Sequence, residues 1–375
     1  MGEWKSCSLG DVITFQRGYD LPKSNMRKGE IPVVGSNGII GYHNEYTTEE
    51  PSITIGRSGN VGKPFIFYGK TWSHNTTLYI KEFYDVDPVY VFYLLQTLDL
   101  GKYAGGSAVP TLNRNHIHTL PICIPEEISE QKAIANILKT LDEKIDNNIS
   151  INNNLLQQAS ALFDNAIHTS NSISYTELGL LADVKGGKRL PKGVNLITDP
   201  NTHPYIRVRD LNNMVFTSLS KEYEYVDNET QKGISKYIVS AGDVLISIVG
   251  TIGLTAIVDT TLENANLTEN CVKLTNLRTV TPEYLLLFLR SAKGMEEISK
   301  GTVGAVQPKL PIKNIQSISV PVLATEQMQS LKRVLSTIFS QISTNIIESK
   351  NLADMRDALL PKLMSGEIDV TDIPV

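Results

Sequence analysis

The second half of this chain repeats the first. Leu9-Gly10 is followed by Gly18 and by Leu21-Pro22-Lys23; Leu178-Gly179 is followed by Gly187 and by Leu190-Pro191-Lys192, each match 169 positions on. Gly59-Asn60-Val61-Gly62 is echoed by Gly250-Thr251-Ile252-Gly253, and Asp87-Pro88-Val89-Tyr90 by Thr281-Pro282-Glu283-Tyr284. Ile124-Pro125 with Glu130-Gln131 then matches Val320-Pro321 with Glu326-Gln327, now 196 positions apart, so the second copy carries insertions. A duplication with its matches in order forces a doubled architecture, and 375 residues suffice for two domains that each bury a core.

Each copy opens with mixed strand and turn, rich in Gly, Asn, Ser and Thr. Apolar runs such as Ser52-Ile53-Thr54-Ile55 and Val244-Leu245-Ile246-Ser247-Ile248 predict strands. Amphipathic helices follow at about 89–98 and 283–289, and short extended pieces close each copy at 120–125 and 318–321. The period then changes. Ile134, Leu138, Leu141, Ile145, Leu155, Ala159, Leu162 and Ala166 step by four and three, a heptad seam whose skipped positions hold Asn148 and Asn152. A second seam runs through Met328, Leu331, Leu335, Ile338, Ile342, Leu352, Leu359 and Leu363, interrupted at Asn345, Ser349 and Arg356. Both seams predict helices of roughly 40 residues, about 60 Å long. The order domain, helix, domain, helix makes their pairing antiparallel. The expected fold is therefore α+β: two similar domains joined by two long antiparallel coiled-coil helices with pseudo-two-fold symmetry. Its boundaries are 1–125 (first domain), 126–172 (first helix), 173–322 (second domain) and 323–375 (second helix and tail).

Net charge is −5, which by itself disfavours a polyanionic partner. The excess acid lies in the helical segments. Residues 1–125 hold 11 basic and 11 acidic side chains and 173–322 hold 16 and 15, so each globular copy is near neutral and binds a polyanion if its basic groups share a face. Cys7, Cys123 and Cys271 fit no zinc spacing and read as thiols of a reducing cytoplasm. No run is long enough for a membrane span, and no secretory leader is read at the start. Met1-Gly2-Glu3-Trp4-Lys5-Ser6 fits the loose myristoylation pattern but reads better as the start of the first domain.

Several catalytic motifs nearly form. Gly56 to Gly62-Lys63 has five residues between its glycines, where a phosphate-binding loop has four, and Pro64 replaces the magnesium-binding hydroxyl; a glycine-rich hairpin or nucleic-acid-facing loop fits better. Glu126, Glu130, Gln131 and Lys132 only loosely match a metal-dependent nuclease, and early acids suit a helix start. His116 and His118 would share a strand face without a third ligand. No metal, cofactor or catalytic residue is assigned.

What remains is chemistry that reads base edges and holds phosphates. Gln16, Arg17 and Tyr19 occupy the place in the first copy that Lys185, Lys188 and Arg189 occupy in the second, in expected turns, and Lys23 follows a few residues on. Arg57, Ser58, Asn60 and Lys63 lie in or beside the glycine-rich loop, whose repeat holds Thr251. Arg207 and Arg209 alternate along an expected strand face, and Asn75 and Lys309 complete the candidate DNA-binding set.

The chain resembles the specificity subunit of a type I restriction-modification system over its whole length. The most specific signature is the tail, Asn351-Leu352-Ala353-Asp354-Met355-Arg356-Asp357-Ala358-Leu359-Leu360-Pro361-Lys362-Leu363-Met364-Ser365-Gly366-Glu367-Ile368, supported by the two Pro to Glu-Gln segments that begin the helices. The first copy lacks the Leu-Pro-Lys-Leu ending, so the helices need not end alike. The resemblance implies two target-recognition domains, each reading half of a bipartite, asymmetric double-stranded DNA site across a gap set by the helices. It also implies two methyltransferase subunits that bring cofactor and chemistry, and it leaves room for two restriction subunits. Two readers one DNA turn apart need about 34–36 Å, which helices of this length can span. A catalytic fusion and a protein-binding spacer are the rival readings.

Overall fold

The computed structural model describes residues 3–106, 110–211 and 215–370; Met1 and Gly2 of the myristoylation pattern lie outside them. It comprises two compact units, Met1–Asn148 with Glu348–Val375, and Ile149–Ile347.

The first unit contains strands β1 (Trp4–Ser8), β2 (Ile13–Arg17), β3 (Ile31–Gly35), β4 (Gly38–His43), β5 (Ser52–Gly56), β6 (Pro64–Phe67), β7 (Trp72–Ser73) and β8 (Thr77–Phe83). Helix α1 (Pro88–Thr97), strands β9 (Ala104–Gly105) and β10 (Thr111–Leu112), helix α2 (Arg114–His118), strand β11 (Pro121–Pro125) and the start of helix α3 (Ile128–Thr169) follow. The main sheet has the order β2-β8-β5-β6, a second sheet runs β4-β3-β7, and β1 pairs with β11 beside the helix start.

The second unit contains β12 (Ile173–Glu177), α4 (Leu178–Leu181), β13 (Asp183–Gly186), β14 (Tyr205–Ile206), β15 (Phe216–Thr217), α5 (Asn228–Ile234), β16 (Val244–Ser247) and β17 (Thr255–Val258). Then come β18 (Asn266–Leu267), β19 (Cys271–Thr275), α6 (Pro282–Arg290), α7 (Ala292–Gly301), α8 (Ile312–Gln316), β20 (Ser319–Leu323) and α9 (Thr325–Met364). Its main sheet, β13-β19-β16-β17-β15, repeats the first unit's order and adds β15 at the edge. The parallel pair β3·β7 is matched by β14·β18, and β1·β11 by β12·β20. Much of the growth in repeat offset falls between β14 and β16, where β15 and α5 have no counterpart.

The repeated residues explain the repeated frame. Gly18 and Gly187 let the backbone pass a neighbouring strand: a Cβ would lie 2.1 Å from the His74 carbonyl oxygen in one copy and 2.0 Å from that of Thr268 in the other. The Asp87 carboxylate accepts the Tyr90 N–H and the Thr281 hydroxyl accepts the Tyr284 N–H, capping α1 and α6, each with Pro at its start. Tyr90 and Tyr284 are fully buried in their respective cores.

The first core gathers Phe15, Ile53, Ile55, Tyr90 and Leu95 with Leu138 of α3 and Leu363 of α9. The second gathers Val244, Leu274, Tyr284 and Phe288 with Ala159 and Phe163 of α3 and Leu335 and Phe339 of α9. Both long helices thus contribute to both cores. Leu162, expected on the seam, is exposed, and Phe163 is buried in its stead. There the helix packs on α6 of the second unit, where the Phe163 ring meets that of Tyr284 edge-on at 4.9 Å, and follows a 3.6-residue period, which drifts off a strict heptad.

The seam interruptions pair across the two helices, and the partners' order is antiparallel. In the second unit the Asn345 amide donates to Asn152 Oδ1 at 2.8 Å. In the first, the Asn148 amide donates to Glu348 at 2.8 Å and to the Ser349 hydroxyl at 3.3 Å, and Arg356 bonds Asp142 at 2.6 Å. Gln131, buried at the start of α3, donates to the Pro125 carbonyl at 2.9 Å and accepts the Asp87 N–H at 2.8 Å. It braces the helix against its domain.

Two outcomes follow for the full chain under urea unfolding. Asn345→Ala strands the Asn152 Oδ1 acceptor and costs about 1–3 kcal/mol, whereas replacing both asparagines with Leu recovers most of the loss; equal losses in the single and double variants would contradict the pairing. Gly18→Ala and Gly187→Ala each cost at least about 2 kcal/mol, because each methyl meets backbone that cannot retreat. Wild-type midpoints would refute that close approach.

Candidate nucleic-acid interface

In the first unit, the end of β2, the β5–β6 hairpin and the start of α2 enclose a cleft of about 650 Å³ lined by Gln16, Arg17, Arg57, Thr111, Asn113 and Arg114. The hairpin fixes its loop through backbone bonds: Gly62 N–H to the Gly56 carbonyl at 2.8 Å, Arg57 N–H to Thr76 at 2.8 Å, and Leu112 N–H to the Arg57 carbonyl at 2.8 Å. Gly59 and Gly62 adopt positive φ, +84° and +79°, as this tight loop requires. The loop joins two strands and opens no helix, so the glycines form a hairpin.

Burial and the neighbouring Arg17 charge push the Arg57 guanidinium below its ordinary value, though an arginine stays charged at neutral pH. Arg114 donates to the Phe15 carbonyl at 3.3 Å. Among the described residues, none of Arg17, Arg57 and Arg114 has an ion pair. Three guanidinium groups around one cleft without a described carboxylate partner form a site for an anion or a row of acceptors.

The second unit opens a cleft of about 820 Å³ elsewhere on its frame, between the segment around Arg189 and the turn after β14. Arg189 bonds Glu269 at 2.8 Å. Arg207 and Arg209 both pair with Glu224, Arg209 at 3.1 Å. These two arginines do not share a strand face as expected: the strand ends at Ile206, and Arg209 belongs to a 3-10 turn, Val208–Leu211. The Asp210 carboxylate accepts the Arg207 N–H at 2.7 Å, stabilising that turn, and burial pushes its carboxyl up to about 6.

Aligning the copies by their hydrogen bonds exposes their divergence. Leu112 N–H meets the Arg57 carbonyl in one, and Leu310 N–H meets the Ile248 carbonyl in the other, at 3.0 Å. Arg17 pairs with Leu78 in register, and Gly186 pairs with Val272. Arg17, Arg57 and Arg114 therefore correspond to Gly186, Ile248 and Ile312. Conversely, the Arg189–Glu269 ion pair takes the place of a 2.5 Å bond from the Asn75 amide to Asp20.

The remaining candidates scatter. Gln16 donates to the Tyr19 hydroxyl at 3.0 Å, so Tyr19 adjoins the first cleft, and Ser58 bridges Thr111 at its wall. Asn60 is exposed at the hairpin tip and Lys23 on a short turn, Lys23–Asn25. Lys63 sits over Phe65 and borders a separate, smaller cleft. Lys185 pairs with Asp183 at 3.6 Å, and Lys188 lies 5.4 Å over the Tyr237 ring. Gln16, Arg17 and Lys185 end strands β2 and β13, where turns were expected. Thr251 is exposed in the second hairpin, and Lys309 bridges Val249 as Thr111 bridges Ser58. Sequence reasoning missed Asn113 and Arg114. The signal was available, since 110–114 repeats the segment 308–312 that contains the candidate Lys309.

His116 and His118 lie on helix α2 where a strand was expected, because the Asn113 side chain caps a turn by accepting the Asn115 N–H at 3.0 Å. His118 Nε2 accepts the Phe15 N–H at 3.0 Å, which requires a neutral imidazole on that nitrogen. Burial, and then the Arg114 charge, lower its pKa from 6.5; burial also lowers that of His74.

Two copies of one frame, each with a guanidinium-lined cleft at a different place, define a duplicated binding protein. The family model for the type I restriction modification DNA specificity domain matches residues 1–157 and 173–351, so the chain belongs to that family. A putative type I restriction enzyme specificity subunit from Haemophilus influenzae is 25% identical over 369 residues, covering 94% of this chain and 91% of the relative. The HindI specificity subunit of the same organism is 22% identical over 368 residues, covering 75% and 77%. The crystal structure of the S subunit of a type I restriction-modification system from M. genitalium shares the fold, with a TM-score of 0.60 over 96% of each chain at 17% identity. Among the described residues no helix is long and apolar enough to cross a membrane.

Because the folded pKa values of His118 and His74 lie below the unfolded value, the unfolded chain binds more protons between them. Stability is full above about pH 6.5 and falls as pH drops below it. His118→Gln removes part of that fall, leaving the His74 part. Thermal melts from pH 7.5 to 5 measure this, and an unchanged slope in the variant would count against the His118 contact.

Proposed function

We propose that this specificity subunit reads a bipartite, asymmetric double-stranded DNA target, with residues 1–125 on one half-site and 173–322 on the other. The helical segments 126–172 and 323–375 set the unread gap and dock two methyltransferase subunits, with two restriction subunits joining the larger complex. The chain itself contributes recognition; cofactor binding, methyl transfer and cleavage belong to those partners in the cytoplasm. One observation carries this reading: a single frame built twice, bearing different side chains at corresponding positions. Arginine clefts with different surroundings suit different base sequences, so the halves of the target differ. Gln16, Arg17 and Arg57, with Ser58 beside them, supply contacts in the first domain, joined by Arg114. Arg189, Arg207 and Arg209 supply them in the second.

The test is a methylation map. The chain is expressed with its methylating partner in a host lacking DNA methylation, and the host DNA is sequenced for modified adenine. A single two-part motif with a fixed gap, lost when the chain is omitted, is the expected result. A motif that persists without the chain would remove the recognition role and favour a spacer.

A further inference from the structure

We propose that the first unit's cleft is a guanine reader, with Arg57 donating to O6 and N7 of one guanine in the half-site that this unit contacts. The inference rests on the DNA-reading role above and specifies it. Arg17, Arg57 and Arg114 line one cleft, and no described carboxylate pairs with any of them. Arg17 stands close enough to disfavour the charge on Arg57. Like charges gathered without a partner raise the energy of the free protein and lower it again when acceptors fill the cleft.

Guanine O6 and N7 in the major groove, and a phosphate, both present acceptors that match a guanidinium fork. The placement of Arg57 selects the base. Its N–H bonds the Thr76 carbonyl at 2.8 Å, and its own carbonyl takes the Leu112 N–H at 2.8 Å. The backbone on both sides is thereby tied to the sheet and to the segment before α2, and the side chain is half-buried in the cleft wall. A reader of one base edge needs this fixed origin, whereas a backbone contact tolerates an exposed and mobile one. Arg17 is exposed at the end of β2, and Arg114 is exposed and tethered to the Phe15 carbonyl, so these two flank the base and take the phosphates.

The second unit supplies the contrast. Ile248 occupies the place of Arg57, with Gly186 and Ile312 in place of the flanking arginines, so that position has no guanidinium to offer. Its own arginines sit in another cleft and are held by Glu269 and Glu224. Guanine readout through this position thus belongs to one half-site.

The experiment maps methylation directed by the wild-type chain, Arg57→Ala, Arg57→Lys and Ile248→Ala, each expressed with the methylating partner. In parallel, the wild-type complex is titrated with target duplexes in which each guanine of the motif is replaced in turn by 7-deazaguanine. In Arg57→Ala one guanine of one half-site loses its requirement, with discrimination falling about ten- to a hundredfold. The other half-site stays intact, Arg57→Lys does not restore the fork, and Ile248→Ala leaves the motif unchanged. The 7-deazaguanine scan, which needs no variant to fold, shows one position in that same half-site where removing N7 weakens binding. The proposal is overturned if every guanine keeps its requirement while Arg57→Ala weakens binding uniformly and lowers the salt slope by about one, the signature of a phosphate contact. It is equally overturned if neither half-site contains a guanine sensitive to N7. A wild-type chain that directs no motif would instead bring down the DNA-reading role beneath it.

Discussion

The helix pair must hold one register, because both cores depend on it. Leu138 of α3 and Leu363 of α9 complete the first core; Phe163 and Leu335 of the same two helices complete the second. A slip along the seam would move side chains out of both. Purely apolar seams slip at small cost, and polar ones do not. Here the amide of Asn345 meets that of Asn152, and Asn148 meets Glu348 and Ser349. Displaced by a heptad, these groups would be buried or half-buried without partners, at about 1–3 kcal/mol each. Arg356 extends the same device into the domain, since Asp142 accepts both its guanidinium at 2.6 Å and the Tyr93 hydroxyl of α1 at 2.7 Å.

The duplication separates what the frame needs from what the surface is free to change. The copies share backbone bonds, such as Leu9 N–H to Leu120 and Leu178 N–H to Ile318, both at 2.9 Å, and they share the glycines where strands crowd. They differ where side chains leave the frame. The contact between Asp20 and Asn75 is kept in position as Arg189 with Glu269, with the chemistry exchanged. A scaffold that is rigid beneath and variable above can change what it recognises without changing how it folds.

The repeat and the long helices were legible because glycine, proline and heptad signals act locally. Gly18 and Gly187 mark the repeat at one offset, and Asn148 and Asn152 mark flaws in one seam as Asn345 and Ser349 do in the other. The clefts were less legible, since they assemble from segments distant in sequence. Gln16, Arg17 and Arg57 meet only because β2 and β5 both flank β8, and Arg114 joins them from nearly 60 residues beyond Arg57. Short helices also misled the reading: α2 and the turn at Val208–Leu211 are set by capping side chains, Asn113 and Asp210, within runs whose alternation resembles a strand. Phe163 was hidden for a third reason, because the face that the helix turns to the second unit's core leaves the heptad.

Net charge does not say where positive charge is free on the surface. The chain is formally −5, yet its field is set locally by which arginines keep their own carboxylates. In the second unit Glu224 and Glu269 hold Arg207, Arg209 and Arg189 in place; such pairs shape a surface and mute its attraction. A partner must exchange with those carboxylates, so each new contact is offset by one lost. In the first unit Arg17 and Arg57 have no such described partner, and an incoming acceptor relieves their mutual repulsion as well as making its own bonds. The two clefts hold similar numbers of guanidinium groups, but those of the first gain more from each acceptor they meet. That difference arises at three positions of a common frame, where Arg17, Arg57 and Arg114 stand in one copy and Gly186, Ile248 and Ile312 in the other.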